Sequence, residues 1–359
     1  MADSKQAPLD AEAAAKAAFA SVQDQPFPND IFTAPELRWA VIGCGVIANQ
    51  MAQSLALAGR KLAGVANRTL SKAQAFAEQY GIEKVYETVD DLYADPNIDA
   101  VYITTPHNTH ITYLRAALAA GKHVLCEKAI TLNSAELDEA RAIADEQNVV
   151  LMDATTVLHM PLYQELRRRM DAGEFGRMNL AQLNFGSYKE YGDLTNRFYN
   201  RNLAGGAMLD IGVYALSVMR IFMASQPIEV VSLGNTCETG VDVAGGIVCR
   251  NAEQQLGVVS LTLHSKQPKR SIISFDKCYI EVNEYPRADH ATIVWTADGR
   301  REEVHAGTEA YALCYEMADL EKAVAGDDSK RELLDYASDV MELMTKLRAD
   351  WGVLYPEEE

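Results

Sequence analysis

From residue 38 to about residue 153, short apolar runs alternate with stretches whose apolar residues recur every three or four positions. The runs 39–42, 62–66, 100–104, 123–126 and 149–152 read as buried strands, and the stretches between them as helices. Ile47, Met51 and Leu55 fall on one helical face that Gly59 ends, and Phe76 and Tyr80 repeat the pattern before Gly81. Asn133 and Glu136 have capping-box spacing ahead of the apolar positions Leu137, Ala140 and Ala144. This alternation predicts a parallel sheet wrapped by helices, that is, an α/β domain over residues 37–155.

Beyond about residue 154 the pattern changes to one helix near 162–170, followed by strands with few helices between them. Val259, Leu261 and Leu263 alternate with Ser260, Thr262 and His264, as a sheet with one buried face requires. Asp298-Gly299 separates the runs 291–296 and 300–305, which reads as a hairpin. The stretch 311–351 is helical. Residues 156–359 therefore form a second, α+β domain. Ahead of both lies an extension, residues 1–36, expected to be a short Ala-rich helix near 11–20 and then a loop through Pro26, Pro28 and Pro35.

Composition narrows the function. The chain has 359 residues, enough for two cores, and 33 Lys and Arg against 51 Asp and Glu give a net charge of −18. That charge argues against nucleic acid and anionic lipid as partners. Cys44, Cys126, Cys237, Cys249, Cys278 and Cys314 show no metal-binding or disulfide spacing, so no metal is expected and a reducing cytoplasm fits best. No run approaches the ~20 apolar residues of a spanning helix, and Glu12 and Lys16 interrupt the only leader-like stretch, so a soluble cytoplasmic protein is expected.

Gly43-Cys44-Gly45-Val46-Ile47-Ala48 follows a predicted strand and opens a predicted helix, the context in which a G-x-G-x-x-A pattern seats a dinucleotide. Gly43 permits the tight turn, Gly45 lets the backbone approach a pyrophosphate, and Ala48 lets the helix pack on the sheet. The second strand ends at Asn67-Arg68 where NAD-binding chains carry an acid. Arg68, helped by Lys72, suits a 2′-phosphate, so NADP is expected ahead of NAD. Backbone and side-chain contacts to the cofactor are further expected from Thr104, Thr105, Pro106, Asn108 and His110 after the fourth strand.

Thr105-Pro106 with His110, Glu127-Lys128, and Gly205-Gly206-Ala207 leading to Asp210 and Tyr214 carry a resemblance. Over nearly all of residues 38–356 the chain resembles the glucose-fructose oxidoreductase, inositol dehydrogenase and rhizopine catabolism protein (Gfo/Idh/MocA) family. Residues 209–214 and the ending 351–356 look like its dihydrodiol dehydrogenase and xylose dehydrogenase branch. The resemblance implies an N-terminal Rossmann domain and a C-terminal domain with an open, mostly antiparallel sheet. It also implies a homodimer or homotetramer through that sheet, Glu127 and Lys128 at the cofactor, and hydride transfer at a hydroxyl or carbonyl carbon of a sugar or cyclic polyol. The acid–base chemistry falls to Lys128, Asp210 and Tyr214, which also face substrate, and Tyr214 is read as the proton relay beside a cationic Lys128. His159 lies where substrate contacts are expected. Two alternatives stay open: a glycoside-cleaving enzyme that oxidises its substrate transiently, and a dinucleotide-binding protein without turnover.

The sequence departs from the family at two places. Ala129 replaces the proline of the Glu-Lys-Pro motif, so the bond after Lys128 is expected to be trans, or cis only where its surroundings hold it. Residues 153–161 also lack the Tyr-Arg-x-His-Pro pattern of the sugar dehydrogenases, which implies a different substrate pocket.

Overall fold

The computed structural model describes residues 17–23 and 25–359. The helix expected near 11–20 lies largely outside the described residues; residues 17–22 are helical. The chain forms two compact units. The first comprises residues up to Thr131, then Ala135–Ala154 and Ala310–Asp335; the second comprises Leu132–Ser134, Thr155–Glu309 and Tyr336–Glu359.

The first unit is built on six parallel strands: β1 (Trp39–Ile42), β2 (Gly64–Ala66), β3 (Lys84–Tyr86), β4 (Ala100–Ile103), β5 (His123–Cys126) and β6 (Leu151–Asp153). They lie in the order β3-β2-β1-β4-β5-β6, in which the chain reverses direction beside β1. Ligands bind at such a switch point, beyond the carboxyl ends of the strands. β1 and β4 are wholly buried, which is why they read as uninterrupted apolar runs. β3 was not legible because its three residues include the exposed Lys84.

Helix α1 (Val46–Leu57) buries Met51 and Leu55 on the sheet, and α2 (Leu70–Tyr80) ends at Gly81 in the left-handed conformation. Helix α3 (Ser134–Gln147) begins directly after Asn133, whose amide donates to Glu358.

Whereas the sequence assigns everything after residue 155 to the second domain, residues 310–335 return to the first unit. Helix α4 (Ala312–Val324) inserts Leu313, Met317, Leu320 and Ala323 into the same core as Trp39, Val41 and Met51. Its other side, with Ala310, Tyr311, Cys314 and Ala318, packs on Val22 and Ile31 of the N-terminal extension.

The second unit carries an eight-stranded sheet in the order β14-β13-β12-β11-β7-β10-β9-β8. The strands are β7 (Met178–Gly186), β8 (Pro227–Thr236), β9 (Asp242–Asn251), β10 (Leu256–Thr262), β11 (Gln267–Phe275), β12 (Cys278–Asn283), β13 (His290–Trp295) and β14 (Arg301–His305). β7 and β10 run parallel, and the other neighbours are antiparallel, including the β13–β14 hairpin. One face buries Ala181, Leu183, Ile247, Val259, Leu261, Ile273 and Ile280 beneath helix α5 (Val213–Phe222). Val231, Leu233, Val248, Leu256 and Tyr279 are exposed.

The expectation that no run has the length and apolarity of a membrane helix needs correction. By length and composition Arg201–Phe222 qualifies, but 89% of its apolar window is buried inside the protein. Its apolarity is that of a core helix. All six cysteines are thiols.

Candidate active site

Each unit brings together its own set of the expected site residues. In the first, the carboxyl ends of β1, β2, β4 and β5 converge. The Gly43 amide donates to the Ala66 carbonyl at 2.9 Å, Thr104 N–H to Ile42 at 2.9 Å, and Glu127 N–H to Ile103 at 3.0 Å. Gly43 has φ +105°, and a Cβ there would lie 2.6 Å from Thr104 Oγ1, so only glycine fits the turn. Gly45 faces open space at the start of α1, and the next residue, Val46, is 65% exposed despite being apolar. No acid stands in the first turn of that helix, so its unpaired amides present a positive end. These features fit a pyrophosphate, which needs close backbone approach and amide donors. Ile47 is half-buried beside them, and Ala48 is buried against the sheet.

Asn67 is half-buried and donates to Thr69 O at 3.0 Å, while Arg68 and Lys72 are exposed. Asn49 was missed by the sequence reading: its amide donates to Gly45 O at 2.8 Å and its carbonyl accepts from Tyr80 OH at 2.8 Å. Its signal was only a polar residue one turn into the helix. Cys44, inside the turn, has its thiol pushed up to about 11 by burial, so it stays neutral there.

Beyond β4, Thr104 Oγ1 donates to Ile42 O at 3.0 Å, and Thr105 Oγ1 accepts from Thr109 at 2.8 Å. Pro106 is exposed and Asn108 half-buried. His110 lies inside the fold. It is fully buried, with its two ring nitrogens against Thr105 O at 2.8 Å and Ala129 O at 3.0 Å. Burial holds its imidazole below the ordinary value, and the neutral ring donates to one of these carbonyls. Nearby, His107 Nε2 donates to Lys128 O at 3.1 Å. The two histidine rings thus lie against consecutive carbonyls, those of Lys128 and Ala129, and the His107 bond fixes the backbone that carries Lys128. The Lys128–Ala129 bond is cis, the second of the two outcomes expected from the missing proline. Glu127 accepts from Tyr102 OH on the neighbouring strand and from Lys128 N–H. Lys128 itself is half-buried.

In the second unit, Gly205 and Gly206 form the turn that starts the helical run bearing Asp210 and Tyr214. Gly205 N–H donates to Asn200 O and Gly206 N–H to Phe198 O, both at 3.0 Å. Gly206 has φ +127°, and a side chain there would collide with Asp242. The run begins as one π turn, Met208–Gly212, before α5. Asp210 is 8% exposed, with Arg197 Nη2 3.7 Å from its carboxylate. Tyr214 is half-buried, its ring 6.1 Å from that of Phe185. His159, 1% exposed, ends the turn Thr156–Leu158, which packs on α5. Tyr199 is a core residue whose hydroxyl donates to Lys189 O at 2.9 Å, whereas Arg197 and Tyr188 are exposed.

Comparison with known proteins assigns the chain on the same two segments. Residues 37–155 match the GFO/IDH/MocA oxidoreductase family with its NAD-binding Rossmann fold, and residues 163–281 match the GFO/IDH/MocA C-terminal domain. The chain is 33% identical to mouse trans-1,2-dihydrobenzene-1,2-diol dehydrogenase over 254 residues, covering 69% of this chain and 75% of that one. A 3-ketoreductase from Actinomadura kijaniata, solved with NADP and TDP-benzene, shares the fold with a TM-score of 0.75 at 24% identity, over 88% of this chain and 98% of that one. Levoglucosan dehydrogenase in complex with NADH and levoglucosan gives 0.76 at 20% identity, over 87% and 97%. The protein belongs to the GFO/IDH/MocA family and is an NAD(P)-dependent oxidoreductase of CH–OH groups.

Proposed function

We propose that the protein transfers a hydride between NADP and a hydroxyl or carbonyl carbon of a sugar, cyclic polyol or related cyclic diol. The observation that carries this reading is the helical run after Gly205-Gly206, which holds Asp210 and Tyr214 one turn apart in a family of dehydrogenases. The nicotinamide, when bound, supplies the hydride acceptor or donor. Gly43, Gly45, Val46, Ile47 and Ala48 seat the pyrophosphate, and Thr104, Thr105, Pro106, Asn108 and Glu127 line the path toward the nicotinamide. Asn67, Arg68 and Lys72 favour the 2′-phosphate of NADP over the bare ribose of NAD, since two exposed cations stand where an acid would otherwise be.

Tyr214 takes the carbinol proton during oxidation and returns it during reduction. Lys128 holds the oxygen as charge develops on it. Asp210 orients Tyr214 on the shared helical run, and His159 contributes to the substrate pocket. Three supports favour this reading: the His107 bond to the backbone of Lys128, the buried carboxylate of Asp210, and the diol and sugar chemistry named for the relatives. The exposed apolar residues of the eight-stranded sheet support association into a homodimer or homotetramer through that face.

The test is a panel of pentoses, hexoses, inositols, cyclic diols and their glycosides, read at the nicotinamide absorbance with each cofactor. Net accumulation of NADPH with at least one free alcohol is expected. Aglycone release without net reduction, or no turnover of any substrate by a protein that binds NADP, would contradict the proposal.

A further inference from the structure

Asp242 begins strand β9 and is completely buried, yet it belongs to no motif the sequence singles out. Its Oδ2 accepts from the Met208 amide at 2.6 Å, at the first turn of the run that carries Asp210. Its Oδ1 is buried with no hydrogen-bond partner among the described residues, and it packs where a side chain on Gly206 would stand. At the same turn, Tyr355 OH donates to Gly205 O at 2.6 Å. Tyr355 is itself stacked under Arg348, whose guanidinium carbon is 4.7 Å from the ring centre. Arg348 donates in turn to Glu358 at 2.7 Å and 2.9 Å and to Leu132 O at 2.5 Å. The two glycines are thus held by the start of β9 and by the C-terminal segment.

We propose that Asp242 is a positioning residue for the reaction: its charged carboxylate fixes the first turn of the helical run bearing Asp210 and Tyr214, and loss of that charge loosens the turn. The inference rests on the functional reading of those two residues given above. A buried carboxylate with one oxygen unpaired is costly to keep, whereas its charge strengthens the bond from a helix-start amide. Burial pushes the Asp242 carboxyl up to about 6, against the Met208 and Ala207 amides and Arg348, which favour the charged form. The titratable and charged groups around it are Arg348 from the helix Leu333–Asp350, and Tyr355 and Glu358 from the C-terminal segment; Asp210, with Arg197 beside it, lies on the run it holds. Burial raises the Tyr355 phenol, which stays neutral. Burial alone would also raise Glu358, but its bonds from Arg348 hold it below the ordinary value, so it stays charged. Among the three neighbours from the C-terminal region, none changes charge near pH 6.

The sign of the stability effect follows. The folded value, about 6, lies above the ordinary 3.8, so the folded protein binds this proton more tightly than the unfolded chain. Stability therefore falls as pH rises through that window and stays lower above it. Activity moves the other way, because the charged form holds the turn.

Asp242→Asn in the full chain separates positioning from mere packing. Wild-type kcat is expected to fall as pH drops through about 6. The Asn variant is expected to show no such limb and a kcat about 10- to 100-fold below the wild-type plateau, with NADP affinity unchanged and a melting temperature at mildly alkaline pH no lower than wild type. Wild-type kcat in the variant, persistence of the acid limb, or a loss of activity that tracks a lower melting temperature would each overturn the inference. If the variant does not fold, hydrogen exchange of the 206–210 amides in the wild type decides: protection should drop on acidification through the same pH, and constant protection would overturn it. Asp210→Asn serves as the control. Near-native turnover there sinks the reading of the site itself, whereas an inactive Asp210→Asn beside a wild-type-like Asp242→Asn sinks only this inference.

Discussion

Arg68 stands exposed at the end of β2, one residue past Asn67, where a dinucleotide's adenosine ribose is held in folds of this kind. A charge-assisted contact to a 2′-phosphate contributes about 1.5–3 kcal/mol, so Arg68→Ala should weaken NADP by about 10- to 100-fold and leave NAD nearly unchanged. Fluorescence titration with both cofactors measures this, and equal weakening of the two would contradict the preference. The exposed place of Arg68 after β2 was legible because it depends on a local turn, as does that of Gly43. His110 was not. Its position in the loop suggested a polar contact outward, but one of its ring neighbours, Ala129 O, is brought to it by the pairing of β4 with β5. Asp242 was hidden for a similar reason, since its partner amide at Met208 lies 34 residues earlier and is reached only through the fold.

At the scale of elements, α4 shows how a helix joins a core that is remote in sequence. Glu321 is buried and accepts from Arg60 Nη2 at 2.6 Å, Arg60 Nη1 at 3.1 Å, Trp39 Nε1 at 3.0 Å and Leu37 N–H at 3.2 Å. Arg60 in turn lies over the Phe32 ring at 4.0 Å. Without Glu321 the Trp39 indole and the Leu37 amide lose their acceptor, and the half-buried Arg60 keeps, among the described residues, only the exposed Glu36 as an acidic partner, at 3.1 Å. Glu321→Ala should therefore destabilise the protein by about 3–5 kcal/mol, read by chemical denaturation. A loss below about 1 kcal/mol, the range of an exposed pair, would mean that α4 docks by its apolar face alone. The existence of most strands and helices was legible from periodicity, and Trp39–Ile42 and His123–Cys126 match the predicted bounds. The docking of α4 was not, because the heptad-like spacing of Leu313, Met317 and Leu320 shows that a face is buried and not against which sheet.

For the whole molecule, two features set the behaviour to be measured: an exposed apolar sheet face and a residue set divided between two units. On β8, Val231 is 75% and Leu233 83% exposed, an unusual pair for an unpaired sheet edge. A charge placed there, Leu233→Asp, should shift the sedimentation coefficient to that of a single chain while the circular dichroism spectrum is retained; an unchanged coefficient would place any association elsewhere. The alternating apolar pattern of the sheet was legible in the sequence, but which strand would form its edge depends on the long-range β7–β10 pairing. The central claim concerns chemistry, and Lys128→Met tests it most directly, because it removes the charge while leaving the carbonyl that His107 holds. Turnover should fall by at least about 100-fold, with NADP affinity within a few-fold of wild type. Near-native turnover in this variant would contradict the assignment of Lys128, and with it the proposed acid–base machinery.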